Sequence, residues 1–280
     1  MLVACLGDVM LDVIVETEGG LVRDDDSPAR VTFAAGGQAA NVATWVVALG
    51  GEARLFGPRS DTGPGHLVER ALTDRGVDVR GDATGRAGAV VSLVSHGTRS
   101  MASDPGDLSW LDDVRYGPWL EGADWLFVSG YALLRTPDPQ RVVETAGVAR
   151  AHGTRIAVDL SSAAMVTEFG ADRFSDLCRA LRPHALFAND AEWATSHGGF
   201  GAGGNTVLVL KHGSVGASFV IDGIPDDRPP VPGSVLDVTG AGDALTAGFL
   251  VGGADLAMEA AARCIGARGA QPPLAVPDGR

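Results

Sequence analysis

Apolar positions along this chain fall into two spacings that take turns. LVACLGDV (2–9) is apolar on both sides of an extended strand, whereas AANVATWVVALG (39–50) repeats its apolar positions every three to four residues, as one face of a helix does. ARLFGPRSD then reads as a strand and GHLVERALTDRGV as a helix, with Leu67, Ala71 and Leu72 in phase. The alternation resumes with WLFVSG, PQRVVETAGVARAHG, RIAVDL, FSDLCRALRP, ALFAND, AEWATSHGG and TVLVLKHG. One helix is expected to start around Gly242 and another to run through LAMEAAARCIGARG. Strands apolar on both faces and separated by helices predict a doubly wound α/β protein, its sheet mostly parallel and covered by helices on both sides.

Two stretches break the rhythm. VIVETEGGLVRDDDSPARVTFA, from residue 13 to 34, and GAVVSLVSHGTRSMASD, from 88 to 104, alternate like strands with no helix between them, the second turning at His96-Gly97. They are expected to form a small antiparallel flap over one edge of the main sheet, the alternative being a pair of decorated loops. No internal repeat occurs, and the biased segments are short: GGFGAGGN (198–205) and DDRPPVPG (226–233).

Composition narrows the class. With 22 Lys and Arg against 35 Asp and Glu, the net charge is −13, which argues against nucleic acid as a partner. At 45% hydrophobic and 20% charged residues there is ample material for a large core, and 280 residues suit one large domain spanning 1–280. Thirty-nine glycines against two tyrosines favour ligand contacts made by bare backbone. Cys5, Cys178 and Cys264 are scattered, without metal-ligand spacing, and read as reduced buried thiols of a cytoplasmic protein. The apolar start lacks a basic leader and reads as a strand, and no uninterrupted apolar run approaches the roughly 18 residues of a membrane span.

The most informative stretch is DVTGAGDALTAGFL, from Asp237 to Leu250. Gly240, Ala241 and Gly242 let the backbone pass close to a ligand, and a helix starting beside them leaves its first N–H groups unpaired, forming an anion hole suited to a transferring phosphoryl group. Asp243 at this helix start could take the proton of an attacking hydroxyl, or could simply cap the helix. No P-loop, no Gly-x-Gly-x-x-Gly after the first strand and no Gly-x-Ser-x-Gly elbow is present, which removes the P-loop NTPases and weakens dehydrogenases and serine hydrolases. A second cluster, AAGGQAANVATWVVALGG, sets Gly36 and Gly37 before a helix carrying Asn41, whose amide can both donate to and accept from a polyol. Asp12 could accept two sugar hydroxyls; a turn, an exposed helix Asn and a strand-end Asp are the plainer readings of these three features.

Taken together, these motifs resemble those of the PfkB (ribokinase-like) carbohydrate kinases over nearly the whole length. AGGQAANVA followed by Gly50 resembles the amino-terminal signature and DVTGAGDALTAGF the carboxyl-terminal one; FGPRSDTGPGHLVERALTDRGVDV, NDAE (189–192) and KHGSVGA (211–217) fall between them as in the family. The resemblance implies a ribokinase-like sheet with a β-lid and transfer of phosphate from ATP to a hydroxyl. It makes Asp243 the general base and Gly240, Ala241 and Gly242 the anion hole. Asn189 and Glu192 would organise Mg²⁺ through water, and Lys211, Gly213, Ser214 and Gly216 would border ATP. Asp12, Gly36, Gly37, Gln38 and Asn41 would bind the sugar under the lid, which in relatives also pairs two subunits, implying a homodimer. A monovalent cation near Asp237-Val238-Thr239 is a further implication.

Departures bear on the acceptor. Gln38 and Ala39 stand where ribokinase has Lys-Gly, and Met10 where it has Asn, so ribose is not implied. Arg99 on the flap is the basic residue set to reach an anionic acceptor, or is a solvent-facing hairpin residue. Ser129, Gly130 and Asp159 end strands, where open α/β sheets bind ligands. His66, His152, His184 and His197 read as surface or helix-end residues. The rival readings are a nucleoside kinase of the same family, for which the flap offers only Phe33 as an aromatic, and an idle sugar- or nucleotide-binding relative.

Overall fold

The computed structural model describes residues 1–83, 85–95, 98–196 and 206–273, without the side chains of residues 98, 99, 112 and 113. The His96-Gly97 turn, His197 and the glycine cluster at 198–205 therefore lie outside the described residues, as does the side chain of Arg99. The chain starts with β1 (Leu2–Leu6), β2 (Met10–Thr17) and β3 (Ala29–Gly36) before its first helix, α1 (Gln38–Ala48). β4 (Glu52–Phe56), α2 (Gly63–Thr73) and β5 (Asp78–Arg80) follow, then β6 (Gly88–Ser95) and β7 (Thr98–Asp104). From β8 (Trp125–Ser129) the order is α3 (Gly130–Leu134), α4 (Gln140–Ala151), β9 (Arg155–Asp159), α5 (Ala163–Phe169) and α6 (Ala171–Leu181). β10 (Ala185–Asn189), α7 (Asp190–Thr195), β11 (Val207–Lys211), β12 (Ala217–Ile221), β13 (Ile224–Arg228) and α8 (Ala241–Ile265) complete it.

Nine strands make one sheet in the order β13-β12-β11-β10-β9-β8-β1-β4-β5. It is parallel from β11 through β5 and antiparallel only at the β12 and β13 edge. Alternate side chains of each strand feed two cores. Val3 and Cys5 of β1 face α1, α2 and α8, whereas Ala4 and Leu6 face the layer of α3 to α7. The chain leaves β1 to build β4 on one side and returns to build β8 on the other, so a crevice opens at the carboxyl ends of β1 and β8. Gly7 is obligatory there, because a Cβ on it would lie 2.6 Å from that of Ser129.

The flap segments form a separate four-stranded sheet, β3-β2-β6-β7. It is mixed and not wholly antiparallel: β2 pairs with β3 in antiparallel fashion but with β6 in parallel, which no hairpin signal in the sequence could show. Pairing of Phe33 with Val13 and of Ala34 with Asp12 puts Phe33 and Asp12 on opposite faces. Phe33 and Val31 are about half exposed on theirs.

The two helices expected at the carboxyl end are both present and meet at Gly253, whose φ of 80 breaks the helical path; α8 names the pair. α8 has the length and mean hydropathy of a membrane span, but half of its most apolar stretch is buried and it packs along α1, as a core helix does. Cys5, Cys178 and Cys264 are free and buried, and burial pushes each thiol up, so none is a thiolate at neutral pH.

Trp45 of α1 ties the carboxyl-terminal segment to this layer: its indole N–H donates to the carbonyl of Ala270 at 2.8 Å. Ala270 in turn packs on Gly240, where a Cβ would come within 2.5 Å of it. Trp45→Phe, which removes the hydrogen bond and leaves a small void, is expected to lower stability by about 1–3 kcal/mol, read as a lower urea midpoint with unchanged slope.

Candidate active site

Ser129, Gly130 and Asp159 lie along one edge of the nine-stranded sheet, whereas Asp12, read as a strand-end residue, sits inside β2 of the flap and pairs with Ala34. In spatial order that edge carries Lys211 (β11), Asn189 (β10), Asp159 (β9), Ser129 (β8) and, just beyond β1, Asp8. Asp8, which sequence reasoning missed, spans the crevice: it accepts from the backbone N–H of Gln38 at 2.9 Å and lies 3.1 Å from the hydroxyl of Ser129. The Oε1 of Gln38 accepts from the hydroxyls of Ser129 and Ser161, both at 2.6 Å. Its NH₂ is thereby turned away from both serines, as a donor. Gly36 and Gly37 serve this cluster by close approach. A Cβ on Gly36 would strike the carboxylate of Asp12, and one on Gly37, at φ 96, would sit 2.4 Å from the carbonyl oxygen of Asp8.

α8 begins after Gly240, which holds the left-handed conformation at φ 78 and is the N-cap. Asp243 is the third helical residue, so the plainer reading of Asp243 as the cap does not hold. Ala241 N–H reaches back to the carbonyl of Val238 at 3.3 Å, while Gly242 and Asp243 have no intrahelical acceptor for theirs. The ammonium of Lys211 lies against this turn, 3.5 Å from where a Cβ of Gly242 would be. Asp243 accepts from Nδ2 of Asn41 at 2.8 Å, and the other end of that amide meets Gln271. Burial pushes the carboxyl of Asp243 up to about 7, with Asp159 and Asp8 adding to the shift and Asn41 and Lys211 opposing it.

Lys211 pairs with the fully buried Asp159 at 2.6 Å, and Thr246 and the N–H of Ser161 also bond to that carboxylate. Burial alone would lower the Lys211 ammonium, but Asp159, Glu192 and Asp243 together raise it. Glu192 is nearly buried in a capping box with Asn189, accepting from the backbone and side-chain N–H groups of Asn189 at 2.8 and 2.7 Å. Burial, then Asp159, raises its carboxyl. One ammonium among three carboxylates leaves excess negative charge, and a carboxylate with two lone pairs still free suits Mg²⁺ held through water. Among the described residues no group of three His, Cys, Asp or Glu side chains could hold a metal directly. Gly213 and Gly216, at φ 59 and 118, bound the short turn that carries Ser214. The carboxylate of Asp237 accepts from the N–H groups of Thr239 and Gly269, stapling the loop before α8.

A doubly wound sheet with unpaired helix N–H groups and a raised carboxyl at its carboxyl-terminal edge is what a phosphotransferase of ribokinase-like fold presents. Residues 1–271 match the pfkB family of carbohydrate kinases, and the chain belongs to that family. It is similar to a fructokinase of Klebsiella pneumoniae, 29% identical over 265 residues, covering 88% of this chain and 82% of that one. A 5-dehydro-2-deoxygluconokinase of Geobacillus kaustophilus is 24% identical over 244 residues, covering 78% and 72%. Among solved structures, an adenosine kinase of Sinorhizobium meliloti superposes with TM-score 0.82 at 24% identity, covering 97% of this chain and 95% of that one. A sugar kinase of Pyrococcus horikoshii in complex with ATP gives TM-score 0.82 at 21% identity, with the same coverage.

Asp243 titrates higher in the folded chain than an ordinary aspartate does unfolded. Its contribution to stability is therefore full at low pH and lost as pH rises through about 7. Asp243→Asn is expected to raise the melting temperature at pH 8, with the gain shrinking toward zero near about pH 4; thermal unfolding at the two pH values checks it.

Proposed function

We propose that this carbohydrate kinase transfers the γ-phosphoryl group of ATP to a primary hydroxyl of a sugar or sugar derivative, with Asp243 as general base. One observation carries the reading: a carboxyl raised to about 7 stands beside unpaired helix N–H groups and the Lys211 ammonium. The acceptor hydroxyl gives its proton to Asp243 as its oxygen bonds to phosphorus, the bond to the β,γ-bridging oxygen breaks, and ADP leaves. N–H groups of Gly242 and Asp243, with Gly240 and Ala241 shaping the turn, receive the charge on the transferring oxygens. Mg²⁺ would neutralise the ATP phosphates, with Glu192 and Asn189 holding it through water. Lys211, Gly213, Ser214 and Gly216 border the nucleotide in this reading. A monovalent cation at the Asp237 loop belongs to the family resemblance and no step depends on it.

Asp12, Gly36, Gly37, Gln38 and Asn41 receive the acceptor, joined by Asp8. The four-stranded sheet closes over it as a lid that keeps water from the phosphoryl group. A sugar is favoured over a nucleoside because Phe33, the aromatic of the flap, faces away from Asp12. An idle binder is disfavoured by the intact Asp243. The exposed face with Val31 and Phe33 pairs with the same face of a second subunit, and ATP as donor assigns the reaction to the cytoplasm.

Asp243→Asn is expected to lower turnover by roughly 10²–10⁴-fold while ATP binding persists, the loss typical of a missing general base; acceptor-dependent ADP release beside calorimetric ATP binding checks it, and retention of most turnover would overturn the assignment. Phe33→Asp with Val31→Asp should yield a monomer by light scattering where the parent is a dimer.

A further inference from the structure

His212 stands between the two groups of residues assigned to the nucleotide, the 213–216 turn and the Asn189–Glu192 pair. It follows Lys211 at the end of β11 and opens the turn: its N–H donates to the carbonyl of Gly216 at 2.9 Å, and its carbonyl accepts from the N–H of Val215 at 3.1 Å. Its ring makes two contacts of a different kind. Nδ1 lies 2.7 Å from the carboxylate of Asp190, the first residue of α7, and Nε2 lies 2.8 Å from the hydroxyl of Ser218 on β12. That hydroxyl donates its own hydrogen to Asp227 on β13 at 2.5 Å. A carboxylate only accepts, and a hydroxyl whose hydrogen is committed elsewhere can only accept as well, so the ring donates at both ends. One side chain thereby ties the turn to α7 on one side and to the β12–β13 edge on the other.

We propose that His212 is a positioning residue for the nucleotide: through Asp190 it holds the 213–216 turn in register with the Asn189–Glu192 capping box, so that one Mg-nucleotide engages both at once. This rests on the kinase reading above and adds to it a residue outside the set that touches ATP. Backbone pairing of β10 with β11 ends at Asn189 and Lys211, so one residue further on the Asp190–His212 contact takes over from the ladder. Asp190 carries the effect because it lies between Asn189 and Glu192 in the chain and starts the helix that those two cap. The far end of the turn is fixed by other means, since Gly216, at φ 118, packs so closely on β13 that a Cβ would strike the carbonyl of Arg228. Stability does not account for the His212 contacts. The His212 side chain is 27% exposed and that of Asp190 68%, and a pair so open to water adds little to folding. Its consequence is geometric: a supporting contact that fixes where a binding turn sits.

The test is calorimetric titration of the full-length chain with ADP, once with Mg²⁺ and once with EDTA, beside ADP release from Mg-ATP over a panel of sugars, sugar acids and nucleosides. We expect His212→Leu to weaken Mg-ADP binding by about tenfold, the size of one charge-assisted hydrogen bond, and binding in EDTA by less than about threefold, because ADP alone engages only the turn. Asp190→Ala should cost as much, and the double variant no more than either single one, since both remove the same contact. Asp190→Asn keeps an acceptor oxygen for Nδ1 and should stay within about threefold of the parent. Where His212→Leu fails to fold, Asp190→Ala, at an exposed side chain, carries the same comparison. Mg-ADP binding unchanged by either substitution, equal losses with and without Mg²⁺, or additive losses in the double variant overturns the proposal. Coupled, Mg-dependent losses in a chain that releases no ADP with any acceptor uphold it and sink the kinase reading. Asp243-dependent turnover with Mg-ADP binding indifferent to His212 does the reverse, and a parent that binds no Mg-ADP overturns both.

Discussion

A single ammonium, Nζ of Lys211, has to serve the buried carboxylates of Asp159, Glu192 and Asp243. Asp159 is wholly removed from water, and Lys211, Thr246 and the N–H of Ser161 surround its carboxylate. Burial raises both Glu192 and Asp243, and the charge of Asp159, which the one ammonium must also serve, adds to each shift. The imbalance has a functional sense under the kinase reading. A carboxyl near neutrality can hold a proton taken from a hydroxyl, and an excess of negative charge favours nucleotide arriving with a divalent cation over bare polyphosphate. The ion pair also spans β9 to β11, so it aligns the two strand ends between which phosphate and acceptor would meet.

Close backbone approach is the second constraint, and it supplies a different reason for the glycines from the one the sequence suggests. Read alone, Gly36-Gly37 leaves room for a polyol. In the fold, Gly36 makes room for the Asp12 carboxylate and Gly37 for the backbone of Asp8, so the pair sets two acidic groups in position before any ligand arrives. Gly240 does the same for the segment at Ala270, which Trp45 holds from the other side. A bulkier residue at any of these would shift the Asp12 carboxylate, the backbone of Asp8 or the first turn of α8, and not merely crowd a ligand.

Much of this was legible because period and order are local. Alternation of both-face apolar strands with amphipathic helices requires the parallel sheet, and the residues of the GAGD turn pointed to a helix start around Gly242, one residue after the observed start at Ala241. The parallel pairing of β2 with β6 was not legible, since seventy-odd residues and a sheet edge separate them and nothing local marks the partner. Asp8, Thr246 and Ser161 escaped for a related reason: each is an ordinary polar residue whose meaning comes from which strand ends the topology sets side by side. Gly7-Asp8 directly after the first strand was the available signal, because a doubly wound sheet binds ligands where its order reverses. Asn189 and Glu192 were found by motif, and the structure adds that they form a capping box, so one pair of side chains starts α7 and leaves a carboxylate beside Lys211.

A net charge of −13 describes the whole surface and says little about a groove a few ångströms wide. At the acceptor end, the count of donors and acceptors is the sharper guide. Asp8 and Asp243 offer acceptors, Asn41 turns its amide N–H toward Asp243, and under the kinase reading a hydroxyl, which both donates and accepts, would satisfy such a mixture.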